Sequence, residues 1–174
     1  MNAAQSLQNR AHVHVSVARG FATDFVGFTA PIVGEFRQGD SRSGEVPVQA
    51  KADSPVTTVL VRKLGESWWV LGASTPNILL TAPAASQTIS SPVTLRGTST
   101  AFEATVNVQV GEDGNITPLG KGFVMGGANG EMGPFDATLA FTPPTATAGS
   151  VMLSTLSAED GRVVEATVVR VKFA

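Results

Sequence analysis

Three groups of residues in this sequence are of types that do chemistry. The first is "RQGDSRSGEV", Arg37 to Val46, in which Gly39-Asp40-Ser41 has the residue order of a serine nucleophile step and Arg42 follows at once. A serine hydroxyl is a weak nucleophile until a base takes its proton. The only histidines, His12 and His14, lie upstream, and the residues after Ser41 read as a strand, so a hydrolase built on Ser41 lacks its downstream base. The second group is that His12/His14 pair, two apart, which on a strand would share a face and begin a metal site without an indicated third ligand. The third is Trp68-Trp69: adjacent strand residues face opposite sides, so one can enter a core while the other is free to act as an aromatic platform.

Weaker candidates follow. Glu112-Asp113-Gly114-Asn115 and Glu159-Asp160-Gly161 gather carboxylates that could hold calcium, but Asp-Gly and Gly-Asn are also hairpin-turn pairs for backbone reasons. Met125 to Phe135, "MGGANGEMGPF", is glycine-rich but lacks the Gly-Lys-Ser/Thr step of a phosphate cradle. No metal, cofactor or catalytic group is therefore expected. The binding residues to expect are Asp40, Ser41, Arg42, Trp68 and Trp69.

The elements that would position these residues are mostly strands. Ala18, Phe21, Ala22, Phe25 and Val26 mark one helix, and "HVHVSV" before it alternates like a short strand. From Pro31 on, β-branched alternation takes over, with "SPVTTVLVRKL" and "SWWVLGA" as a hairpin turning at Gly65-Glu66. The segment 74–92 carries three prolines and small polar residues and reads as a linker, with a boundary near Pro83. Beyond it, seven short β-patterned runs separated by turn signals predict an antiparallel sandwich. In "FEATVNVQV", Phe102, Ala104, Val106, Val108 and Val110 should face the core. The expected fold class is mainly β: a small α+β domain over 1–82, one helix on an antiparallel sheet, followed by an immunoglobulin-like β-sandwich over 83–174.

Composition narrows the partners. Charged residues are 15% of the 174, the formal net charge is -2, and no basic run exists, so nucleic acid is not expected. No apolar stretch approaches the length of a transmembrane helix. With no cysteine, disulfide and thiolate chemistry are excluded. Met1 to Arg10 lacks the apolar core of a signal peptide, which taken literally means a cytoplasmic protein. The wealth of Thr, Ser, Val, Gly and Ala points instead to an extracytoplasmic one whose export signal lies outside this sequence.

The run "TISSPVTLRGTSTAFEATVNVQVGEDGN", then "GPFDATLAFTPP" and "SAEDGRV" before a valine-rich strand, resembles Gmad2, the immunoglobulin-like domain named from bacterial spore-germination proteins. The resemblance spans about Gln87 to Phe173, and its motifs are structural. "GDSRSGEV" and "VTTVLVRKLGESWWVLGA" in the first half resemble the partner region found with such domains in actinobacterial exported proteins. The resemblance implies a non-enzymatic binding or structural module of the cell envelope, lipoprotein-like, engaging an envelope protein or a cell-wall polymer. The alternatives are a carbohydrate- or peptidoglycan-binding module using the tryptophans, and a small serine hydrolase using Ser41.

Overall fold

The expected helix forms and extends backwards, although Phe25 of its predicted stripe is exposed. The computed structural model describes residues 13–174, of which 13–20 are α-helical and run directly into a π-helical turn, Phe21–Val26, together α1. Alternation in "HVHVSV" predicts a strand, yet from Val13 on this segment is helix; His12 lies outside the described residues. The reason is legible afterwards: His14, Ala18, Ala22 and Val26 are all buried and four apart, so His14 serves as the first member of the apolar face. In a helix, residues two apart point about 200° away from each other, so the shared face that a His12/His14 metal site needs is not offered by the element containing His14.

The chain then forms β1 (Ile32–Val33), β2 (Arg37–Asp40), β3 (Ser43–Gln49), β4 (Thr57–Leu64) and β5 (Ser67–Ser74). β2 to β5 pair antiparallel as a meander, and β1 also pairs antiparallel with β3. Their alternating valines, Val46 and Val48 on β3, Val59 and Val61 on β4, pack beneath Ala18, Ala22, Val26 and Phe28. The segment read as a linker contains two further strands, β6 (Ile78–Ala82) and β7 (Thr88–Ile89). Next come β8 (Val93–Ala101), a short 3-10 turn at Phe102–Ala104, β9 (Thr105–Glu112), β10 (Gly120–Met125), β11 (Gly127–Ala128), β12 (Gly133–Leu139), β13 (Ala148–Leu156) and β14 (Val163–Phe173).

Two sheets result. One has the order β1-β3-β4-β5-β14-β13-β9-β10, with β2 beside β3 and β7 beside β14; the other is built around β8, flanked by β6, β11 and β12. Both are largely antiparallel, with β11–β8 and β7–β14 parallel. Their inner faces enclose one core, in which Val106, Val108 and Val110 of β9 meet Leu95, Phe135, Val151 and Leu153. This is the sandwich that the strand spacing predicts, and it starts with β6, because Ile78 to Ala82 pair with β8.

The large sheet runs through both halves of the chain. Gly72 and Ala73 of β5 pair with Val169 and Val168 of β14, and a Cβ at Gly72 would sit 2.5 Å from the Val168 carbonyl oxygen, so only glycine lets the strands approach this closely. The β13–β14 hairpin is thereby buried on both faces. Val151 and Leu153 enter the sandwich core, while Met152, Ala166 and Val168 enter the core beneath α1. That explains why "SVMLSTL" does not alternate cleanly: a strand with two apolar faces needs no polar side.

The predicted core alternation of β9 stops short at its start. Phe102, expected inside, is 64% exposed, because Glu103 and Ala104 both adopt left-handed backbone, φ 54° and 59°, and the extended strand begins only at Thr105. Period-two reasoning holds only where the backbone is extended.

Candidate functional site

The "GDS" segment is a hairpin tip. β2 and β3 pair around Ser41-Arg42, with a register irregularity between Gln38 and Asp40, and the Asp40 Oδ1 accepts the Arg42 backbone N–H at 2.7 Å. This Asx-type turn, with a further hydrogen bond from Ser43, holds the Asp40 carboxyl below its usual range, and Arg62 adds to the effect. Ser41 is an exposed turn residue. His14 offers it no base, since its ring is stacked on Phe36 (centroids 4.0 Å apart, 17° between planes) and edge-on to Trp68 (3.9 Å, 87°). Arg37 lies opposite Glu45 in the ladder, but no ion pair forms within the hairpin among the described residues.

The tryptophans separate as adjacent strand residues must. Trp68 turns under α1 and walls His14 together with Phe36, whose ring lies so close over Gly44 that a Cβ there would come within 2.3 Å of it. Trp69 is 57% exposed on the other face. Ser43 pairs with Arg62, and Arg62 with Trp69, so these three form one row across β3, β4 and β5, next to the Asp40–Arg42 tip. Four of the five expected binding residues thus gather at one end of the sheet, and Trp68 does not join them.

His14 is 5% exposed, and neither ring nitrogen has a hydrogen-bond partner among the described residues. Desolvation lowers its pKa. A folded-state value below the unfolded one favours the neutral ring, so stability is full above the unfolded value of about 6.5 and declines as pH falls through that window. Chemical denaturation of wild type and His14→Leu at a series of pH values from about 7.5 to 5 should show this decline in wild type and its loss in the variant.

The acidic turns are occupied by the protein itself. Glu112 Oε2 accepts the backbone N–H groups of Thr145 and Ala146 at 2.6 and 2.9 Å, and its Oε1 accepts Asn115 Nδ2 at 3.2 Å. These bonds, the Ala146 amide foremost, lower its pKa to about 2. Asp113 is held in a bidentate pair by Arg170 at 2.5 Å, and Glu159 and Asp160 pair with Lys51 and Arg162. Among the described residues no three His, Cys, Asp or Glu side chains converge. Because the Glu112 shift is downward, its contribution is complete above about pH 4.5 and is lost as pH falls towards 2. Melting curves across that interval should show wild type losing stability more steeply than Glu112→Gln, which should already melt lower at neutral pH.

A second site is one that sequence reasoning missed. At the end of the sandwich where the β5–β6, β8–β9, β11–β12 and β13–β14 connections meet, Asn77, Thr100, Phe102, Thr155, Leu156 and Glu165 line an open cavity of about 340 Å³. Glu165 is 3% exposed. Its Oε2 accepts Thr75 Oγ1 at 2.5 Å and its Oε1 accepts Thr155 Oγ1 at 2.9 Å, while Asn77 Nδ2 donates to both oxygens at 3.1 and 3.3 Å. No cation lies within ion-pair distance of it among the described residues. Phe102 and Leu156 stand exposed at the mouth. The two left-handed residues Glu103 and Ala104 lie just behind Phe102, and Gly126 donates its N–H to the Ala104 carbonyl at 3.1 Å, holding the turn. Asn129, also left-handed at φ 55°, lies on the neighbouring loop, whose Gly130 N–H donates to Thr100 Oγ1 at 3.0 Å. The available signal was "EATV" within "VVEATVV": Glu165 and Thr167 alternate with Ala166 and Val168 as if facing solvent, yet β14 is covered on both faces and all four are buried.

A sandwich of two largely antiparallel sheets with its loops collected at the ends is the architecture that immunoglobulin-like domains share with other β-sandwiches. Residues 77–162 match the family model Gmad2, described as the immunoglobulin-like domain of bacterial spore germination, and the N-terminal region is assigned to no family. The match begins at β6, ahead of Gln87, and ends before β14. No curated protein and no solved structure is matched by the chain.

Proposed function

We propose that this protein is a non-catalytic recognition module of the bacterial cell envelope, exposed outside the cytoplasm, and that the loop end of its sandwich receives the ligand. The observation that carries this reading is the open cavity floored by Glu165 and rimmed by Phe102 and Leu156. Concave sites with an apolar rim and a few convergent polar groups are the usual form of a binding site, and strained backbone persists where a local geometry is held for use. The Gmad2 family model, described as an immunoglobulin-like domain of bacterial spore germination, matches residues 77–162, which include Phe102 and Leu156 but not Glu165, and supports a role of that kind. Non-enzymatic action is supported by the position of Ser41 on an exposed turn and by the enclosure of His14 between rings.

A second reading has its own observation. The row Ser43–Arg62–Trp69 beside Asp40 puts an exposed indole next to hydrogen-bonding groups, the arrangement on which a sugar ring stacks. Retention of purified protein on isolated cell-wall material separates the two. Phe102→Ala should abolish retention and Trp69→Ala leave it intact if the loop end is the site. The reverse result assigns recognition to the Trp69 row and a cell-wall polysaccharide. Retention unchanged in both variants refutes both.

A further inference from the structure

Resting on the reading of the loop end as a recognition site, we infer that its cavity takes an alkylammonium group, such as a lysine side chain or the amino end of a diamino acid within a peptide. The floor dictates the sign of charge. Among the described residues Glu165 is the one charged side chain lining the cavity, it is buried, and its partners are the neutral donors Thr75, Thr155 and Asn77. Those bonds orient the carboxylate, but none of the described residues supplies it a counter-ion, and a buried carboxylate without one is costly. A cation entering the cavity relieves that cost, and an anion is excluded. Glu103 and Glu131, next in sequence to the lining residues Phe102 and Gly130, are exposed and carry the same sign.

The walls dictate the rest of the ligand. Phe102 and Leu156 are apolar and exposed, suited to an alkyl stem, and a ring face near the mouth attracts an ammonium as well. A planar guanidinium gains most from two free carboxylate oxygens facing its fork, and here Thr75, Thr155 and Asn77 already engage both, so a compact ammonium, a point charge that gains from proximity without a paired fork, fits better. The cavity, about 340 Å³, is at the small end of ligand sites and matches one side chain better than a polymer.

The test uses the whole chain, labelled with nitrogen-15, titrated with Nα-acetyl-lysine amide, its norleucine analogue and its Nε-acetylated form. The lysine compound should shift the amides of Thr100, Phe102, Asn129, Gly130 and Leu156, and the two uncharged compounds should bind at least about tenfold more weakly. Glu165→Gln should weaken lysine binding by about tenfold or more. As that variant bears on folding, Leu156→Lys serves beside it: the position is exposed, and an ammonium placed at the mouth should compete for the carboxylate and abolish binding in a normally folded protein. Equal binding of the uncharged compounds, or shifts confined to other residues, or no shift at all, overturns the inference. If wall retention is still lost in Phe102→Ala while no amine binds, the recognition site stands and its assignment to ammonium falls.

Discussion

Leu153→Ala should lower stability by about 2–5 kcal/mol, the range for a leucine truncated in a packed core. Leu153 is fully buried on β13, in the sandwich core, and far along the chain from both tryptophans, which sit on β5. For a chain of this size the loss corresponds to a melting temperature lower by roughly 4–20 °C. The informative part is which signals move. Because β13 and β14 also supply Met152, Ala166 and Val168 to the core under α1, and β14 is hydrogen-bonded to β5, weakening the hairpin from its sandwich side withdraws support from the helix side. Tryptophan fluorescence, which reports the first half of the chain, and far-ultraviolet circular dichroism, which reports all of it, should therefore shift together to one new midpoint. A fluorescence transition left at its wild-type position would mean that the two halves unfold separately despite the shared sheet.

The sandwich was the most legible part of the sequence. Its strands are short, alternate cleanly where one face is solvent-exposed, and are punctuated by Asp-Gly, Gly-Asn and Pro, so pattern and turn chemistry agree. What escaped has a common cause: local periodicity reports one face of one element and is silent about what lies on the other. "HVHVSV" alternates, but its segment from Val13 joins the helix because His14 falls in step with Ala18, Ala22 and Val26, and a histidine does not register as apolar until two aromatic rings are seen around it. "NILLTA", flanked by Pro76 and Pro83, looks like part of a linker and is an edge strand of the smaller sheet. The role of β13–β14 as a common wall depends on a pairing between residues almost a hundred positions apart, Gly72 with Val169, which no window of sequence contains.

The candidate sites divide in the same way. Asp40, Ser41 and Arg42 form a polar hairpin tip through local turn chemistry, while their nearness to Trp69 depends on the β3–β4–β5 register, which the residues of the tip alone do not carry. The Glu165 cavity was not visible, since its lining comes from β6, β8, β11, β13 and β14 regions and from a left-handed turn at two residues that are not glycine. Glutamate and alanine carry no signature of that conformation, and it is tertiary hydrogen bonding, as from Gly126 to Ala104, that holds them there.

The contrast between the two tryptophans is the sharper test of how the first half is built. Trp69→Ala should change stability by no more than about 0.5 kcal/mol, because the ring is mostly in solvent and the row it forms with Arg62 and Ser43 is a surface feature. Trp68→Ala should cost about 2–4 kcal/mol, somewhat under the usual range for a fully buried aromatic, since the ring is only partly enclosed. Its loss also opens one wall of the box around His14, whose edge-to-face contact with Trp68 and stacking on Phe36 exclude water from an imidazole without a partner among the described residues. Water reaching that ring restores hydration to its charged form. Trp68→Ala should therefore lose stability less steeply than wild type as pH falls below about 6.5, while Trp69→Ala keeps the wild-type slope. Calorimetric melting of the three proteins at about pH 7.5 and pH 5 reads both effects at once: the offset at the higher pH measures the packing of the indole, and the change in offset between the two measures how far Trp68 keeps His14 dry. Equal offsets for the two variants at both pH values would contradict the placement of Trp68 beneath the helix.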